Sequence, residues 1–306
     1  MERNHRMELQ YDGTGLYGWA KQEGLKTVEG CLEEAFRTAL GAAPTLRVAG
    51  RTDAGVHARR QVVSLMLPQG VDLLKLRRSL NALTPAGIAV LDVRRAPAAF
   101  DARRDGTSRS YRYFVCAGPV MSPFWGGYCW QVFGGDLDVG LMTEAAVLVA
   151  GRHRFTAFTP TETKHVFFDR TVLRCRWTRV SGAAFPAAAV APAGRAGRGP
   201  DGAPSRGGML CLEIEADAFL RHMVRALVGT MVEVGRGERS LEDFERLIDG
   251  AAREAAGLTA PAHGLFLWDI KYGRGGTKRP PYGRIPGAAG GERTGGLSDE
   301  PADSEA

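Results

Sequence analysis

The order of elements written into the hydrophobic pattern constrains this chain more than any other feature. Met7 to Tyr11 alternates apolar and polar residues, the period of a strand. Thr27 is an N-cap candidate for a helix with Val28, Leu32, Ala35, Phe36 and Leu40 on one face, closed by Gly41. Leu46 to Ala49 and Gln61 to Leu67 read as strands. Asp72 caps a second helix carrying Leu73, Leu76, Leu80 and Leu83, stopped by Pro85 and Gly87, and Ile88 to Val93 is a fourth strand. The order is β-α-β-β-α-β, that of ferredoxin-like α+β folds. It then recurs. Ser110 to Ala117 is a strand, Leu137 to Val149 a helix, and Thr171 to Val180 and Met209 to Ala216 are strands. Phe219 to Val234 is a strongly apolar helix and Leu265 to Ile270 a last strand, with an added helix at Leu241 to Ile248. No residue-level identity links the two rounds, so the duplication is one of topology.

The expectation is an α+β protein of two ferredoxin-like halves, their antiparallel sheets side by side and a cleft between them. The length of 306 residues allows this, and 44% apolar residues is enough for a full core. Residues 1–105 form the first domain and 106–272 the second. Gly182 to Gly208, made of Ala, Pro, Gly and Arg, interrupts the second as an expected disordered insertion, and 273–306 reads as a disordered tail. The arginines of the insertion, Arg195, Arg198 and Arg206, read as a solvated linker more readily than as an RNA contact.

The run Ala49-Gly50-Arg51-Thr52-Asp53-Ala54-Gly55-Val56-His57-Ala58 falls between two expected strands. It sets a carboxylate, an arginine, a hydroxyl and a histidine around two glycines, which permit positive φ or a close backbone approach. A tight loop of this kind presents Asp53 rigidly, as a catalytic group requires. A turn with an Asx-type bond and a solvated arginine fits the same string.

Two further stretches carry chemistry. From Phe100-Asp101-Ala102-Arg103-Arg104 to Ser108-Arg109-Ser110-Tyr111-Arg112-Tyr113-Phe114, arginines alternate with aromatics. On a strand Tyr111 and Tyr113 share one face and Arg112 takes the other. Base-stacking aromatics with phosphate-holding arginines equip a single-stranded RNA site; a plain edge strand would look similar. In Phe219-Leu220-Arg221-His222-Met223-Val224-Arg225, Arg225 falls near a mostly apolar helix surface. It either snorkels to solvent or pairs with a carboxylate, for which Asp53 is the candidate.

These strings resemble the tRNA pseudouridine synthase A family, and the resemblance runs from Met7 to Tyr272. Supporting matches are Tyr11-Asp12-Gly13-Thr14 with Tyr17-Gly18-Trp19, Leu80-Asn81-Ala82-Leu83, Gly151-Arg152-His153 with Phe155 and Phe158, Ala260-Pro261-Ala262 and Gly264-Leu265. Ala20, Glu29 and Arg154 depart from the usual residues, and the 182–208 insertion is longer than the family's connection. The resemblance implies that Asp53 is the catalytic residue, that Tyr111 lies against the target base, and that Arg225 pairs with Asp53. Arg51, Thr52, His57, Arg109 and Tyr111 are the expected substrate-binding residues, with Arg51 and His57 contacting phosphate or intercalating beside the target.

The implied reaction turns uridine into pseudouridine at positions 38, 39 and 40 of the tRNA anticodon stem-loop. A carboxylate is its minimum equipment, acting as nucleophile at C1′ or as base toward the 2′ proton. The rival readings are a synthase of the same build on another RNA, a non-catalytic RNA-binding protein, and a glycosidase-like hydrolase, for which Asp12 is the one tempting second acid. The resemblance also implies a homodimer with tRNA across both subunits.

A net charge of +6, mostly from arginine, suits a polyanionic partner. Five cysteines without CxxC spacing, and six histidines without HxxxH or HExxH, predict reduced thiols, no metal and no cofactor. With no membrane-length apolar run and no apolar signal core, the expected location is cytoplasmic.

Overall fold

The computed structural model describes residues 1–118, 120–133, 137–163, 166–180 and 208–273. Most of the insertion (182–207) and of the tail (274–306) lies outside the described residues, while Gly208 already belongs to a strand.

The first half contains β1 (Glu2–Tyr11), α1 (Val28–Leu40), β2 (Arg47–Val48), β3 (His57–Pro68), α2 (Leu73–Leu83) and β4 (Ile88–Arg95). The capping residues act as their chemistry dictates. Thr27 accepts from the Gly30 N–H (3.2 Å) and Asp72 from the Lys75 N–H (3.0 Å), while Gly41 closes α1 in the left-handed region. The second half contains β5 (Gly106–Ala117), β6 (Trp130–Val132), α3 (Val139–Val149), β7 (Gly151–Arg154), β8 (Asp169–Arg179), β9 (Gly208–Ala216), α4 (Met223–Gly235), α5 (Leu241–Ile248) and β10 (Leu265–Tyr272). Asp138 and Ser240 cap α3 and α5 through the Leu141 and Asp243 N–H groups.

The strands join into a single mixed sheet in the order β4-β1-β3-β10-β5-β9-β8-β7, with β2 against β3 and β6 against β5. Pairings are antiparallel except β3 with β10 and β5 with β6. The last strand therefore lies mid-sheet, parallel to β3 at His57–Ala58 and antiparallel along β5. One core packs α1 and α2 on β1, β3 and β4, with Met7, Leu9, Leu32, Phe36, Val63 and Leu80 almost wholly buried. The other packs α3, α4 and α5 on β5, β8 and β9. Tyr111 is partly buried against both.

Short β2 replaces the expected strand at Leu46–Ala49, and β6 and β7 were not anticipated; runs of two to four residues carry too little alternation to register. The expected helix at Phe219–Val234 begins only at Met223. The Asp217 carboxylate draws the Thr171 and Ala218 N–H groups to itself, and His222 adopts φ 60°, so 217–222 is an irregular turn. Eleven of the thirteen α4 residues are buried, as its strongly apolar pattern implies, with α3, α5 and the 258–260 segment packed around it. No helix among the described residues is long and apolar enough to cross a membrane.

Candidate active site

The loop between β2 and β3 carries Asp53, and side chains pin it from below. Thr52 Oγ1 and the Tyr11 hydroxyl are 2.7 Å apart, and Gln61 Nε2 donates to the Gly50 carbonyl at 2.7 Å. Trp19 N–H donates to the Thr52 carbonyl (3.0 Å) and Gly55 N–H to Leu16 (3.1 Å). Gly55 turns the chain at φ 78°, where a side chain would be strained. The result is a rigid shelf, with the Asp53 side chain 34% exposed at its rim.

The turn before α4 faces that carboxylate. Arg225 NH1 lies 3.7 Å from Asp53 Oδ2, long for a hydrogen bond but within ion-pair range. Burial works against the guanidinium's charge and Asp53 offsets part of that. Arg225 is aimed by its other edge, where Nε donates to the Ala260 carbonyl at 2.7 Å. His222 Nε2 is 3.4 Å from the same Asp53 oxygen. Tyr111 stands beside this group with Phe219 packed edge-on, centroids 5.0 Å apart. Burial, reinforced by Tyr11 and Asp53, pushes the Tyr111 phenol well above its usual range, so it stays protonated. Arg51 is exposed, without an ion pair among the described residues, and so is available to an anion.

Three expected substrate contacts are buried and bonded within the protein. Thr52 is 8% exposed and spent on Tyr11. Arg109 is also 8% exposed, and its guanidinium donates to the carbonyls of Ala49, Arg103, Gly106 and Asp217. It thus ties the start of the Asp53 loop to β5. His57 is 1% exposed, stacked on Phe266 with centroids 4.5 Å apart. Its Nδ1 accepts from the Gly13 N–H (2.9 Å), and its Nε2–H faces the carbonyls of Gly127 and His263, both at 3.0 Å.

Pattern reading also missed what 260–263 does. Its carbonyls accept from Arg225 at Ala260, from the Tyr113 hydroxyl at Pro261 (2.8 Å) and from His57 at His263. This segment joins both halves of the site, and its one sequence signal is the string Ala260-Pro261-Ala262. Arg112, on the far face of the sheet, lies over Trp268 at 4.0 Å and pairs with Glu213 at 2.5 Å. A groove of about 170 Å³ on that face, lined by Arg112, Arg174, Glu213, Trp268 and Lys271, does not include Asp53. No cluster of three or more His, Cys, Asp or Glu side chains suited to a metal ion occurs among the described residues.

His57 gives a direct test of the supporting role. Burial holds its pKa below the ordinary 6.5, outweighing the pull of Asp12. The stability it contributes is therefore complete above 6.5 and lost as pH falls through the lower folded value. His57→Leu should cost about 2 kcal/mol by orphaning the Gly13 N–H and two carbonyls. It should also flatten the acid-side decline, read from urea midpoints at about pH 5 and about pH 7.5. An unchanged midpoint at the higher pH would contradict a bracing role.

A carboxylate on a braced loop, faced by an arginine and a tyrosine where two α+β cores meet, suits chemistry on a sugar–base bond. A family model described as tRNA pseudouridine synthase matches residues 145–273 and, together with full-length relatives, places the chain among the pseudouridine synthases, a class of isomerases. The chain is 36% identical over 273 residues to the tRNA pseudouridine synthase A of Chlorobium chlorochromatii, covering 88% of this chain and 100% of that one. It is also 36% identical over 304 residues to that of Solidesulfovibrio magneticus, covering 97% and 96%. With the Syntrophotalea carbinolica protein of the same description the identity is 34% over 273 residues, 87% of this chain and 95% of its relative. The chain belongs to the tRNA pseudouridine synthase A family.

Proposed function

We propose that the protein converts uridine to pseudouridine at positions 38, 39 and 40 of the tRNA anticodon stem-loop, with Asp53 as the catalytic residue. The observation that carries this reading is the convergence of Arg225 and Tyr111 on a half-exposed Asp53 whose loop is fixed by buried brackets. The C1′–N1 bond breaks, the uracil turns and C1′ bonds to C5; the C5 proton passes to a base and on to solvent while N1 takes up a proton, so the product is an isomer of the substrate. Asp53 acts at the sugar, as nucleophile at C1′ or as base at the 2′ proton. Arg225 orients the carboxylate. The target base must leave its stack, and the ring of Tyr111 supplies the surface that receives it. The ring of Tyr111 stacks on the flipped base, and its hydroxyl is the group nearest to hand to assist removal of the C5 proton. Arg51 takes phosphate.

The strand order supports two ferredoxin-like halves, 1–105 and 106–272. Read by order of appearance, β4-β1-β3-β2 and β10-β5-β9-β8 both run fourth, first, third, second. We further propose a cytoplasmic homodimer with tRNA lying across both subunits, as the family resemblance implies.

The test is release of tritium from C5-labelled uridine in unmodified tRNA transcripts, without added cofactor. Replacing uridines 38, 39 and 40 by cytidine one at a time should lower release, and replacing all three should end it. Release from the triple-replaced transcript would move the target elsewhere. No release from any transcript, with binding intact, would leave an RNA-binding protein.

A further inference from the structure

His222 is the one non-glycine residue with positive φ among the described residues, at φ 60°, ψ 0°. L-residues avoid this region, and where a structure holds one there the surroundings impose it, commonly at functional sites. At 222 the consequence is specific. The left-handed residue caps α4 without using its own side chain as a cap, which leaves the imidazole directed at Asp53. Nε2 lies 3.4 Å from Oδ2, the oxygen that Arg225 also approaches. Oδ1 has no partner among the described residues.

We propose that His222 is a positioning residue for Asp53: with Arg225 it holds Oδ2, so that Oδ1 is the oxygen presented to the ribose. This deepens the Asp53 reading and rests on it. A free enzyme commonly holds such a contact slightly long, and it tightens when substrate closes the site. The groups facing His222 are Asp53 from the loop, Arg225 on α4, Arg221 in the turn and Arg253 beyond α5. Burial and the three arginines disfavour the imidazolium, as does the N-terminal end of α4, while Asp53 alone favours it. The pKa lies below 6.5, so the ring is a neutral donor at pH 7. A neutral donor orients the carboxylate without adding a second full positive charge that would blunt it. When the ring protonates, that charge arrives and the rate falls.

The experiment is single-turnover tritium release from saturating tRNA across pH, with circular dichroism melting and filter binding for each variant. His222→Phe should lower the rate constant up to about 100-fold with tRNA affinity unchanged. His222→Asn, which tolerates left-handed backbone and still donates, should restore most of it and lose the imidazole's part of the acid limb. His222→Gly, which relieves the backbone but has no donor, should stay slow. Wild-type rate and pH profile in folded His222→Phe, or full activity in His222→Gly, would overturn the proposal. If His222→Phe folds poorly, the pH profile of His222→Asn still decides: an unaltered acid limb counts against it. Asp53→Asn is assayed beside them. An active Asp53→Asn overturns the underlying reading and this proposal with it. An inactive Asp53→Asn together with an unaffected His222 series overturns this proposal alone.

Discussion

Asp53→Asn is expected to reduce tritium release from C5-labelled tRNA by at least about 10³-fold, the scale of removing a group that itself takes part in proton transfer or bond formation. The substitution is nearly isosteric and leaves the loop's brackets untouched, since none of the bonds from Tyr11, Gln61 or Trp19 uses the Asp53 side chain. Arg225 loses its counter-charge but keeps the Ala260 carbonyl. Because the Asp53 side chain is 34% exposed, the ion pair is solvent-screened, and its loss should cost under about 1 kcal/mol of stability. Binding of tRNA, measured by filter retention, should stay within a few-fold of wild type. Activity above one part in a hundred would place the chemistry on another group.

Gly229→Ala is expected to lower stability by about 3 kcal/mol, at the upper end for overpacking. A Cβ at 229 would collide with the Leu258 carbonyl oxygen. That oxygen belongs to backbone, so the contact cannot be relieved by a side-chain rotation. Either α4 or the 257–260 segment must move. The same segment positions Arg225 through Ala260, and Gly257 N–H is tied to Thr230 Oγ1 at 3.1 Å. The variant should therefore also lose activity, in the rate constant before tRNA affinity. A denaturation midpoint equal to wild type would mean that the loop yields freely. A glycine inside a helix otherwise rich in apolar residues is the sequence's only sign of this close approach.

Much of the fold was readable because its signals are local. Caps at Thr27 and Asp72, the left-handed stop at Gly41, and the long alternating strands depend on neighbours a few residues away. The Asp53 loop was also legible, and the pairing of Arg225 with Asp53 followed from the family resemblance, since the residues alone left snorkelling open. What the string did not carry was orientation within the loop. Thr52 and His57, and Arg109 on the strand beyond, have the chemistry of substrate contacts, but a tight loop spends most of its polar groups on its own backbone. Whether such a group points outward depends on partners 40 or more residues away, such as Tyr11 for Thr52 and Ala49 for Arg109. His222 was invisible for a related reason. Left-handed backbone at a non-glycine residue follows from how Asp217 and Phe219 place the turn, not from the identity of the histidine.

The position of β10 has a consequence for the order in which the protein can be made. Asp53 belongs to the first half; Tyr111, His222 and Arg225 belong to the second. The strand that pairs with both β3 and β5 is the last to leave the ribosome. A nascent chain that has reached Ala260 already contains every residue named in the chemistry, yet lacks the strand that knits the two halves. Side chains such as Arg109 and Tyr128 also bridge the halves, but Leu265–Tyr272 supplies the backbone pairing that fixes their register. A chain ending at Ala260 is therefore expected to be inactive, and tritium release by such a truncated chain would show that the side-chain bridges suffice.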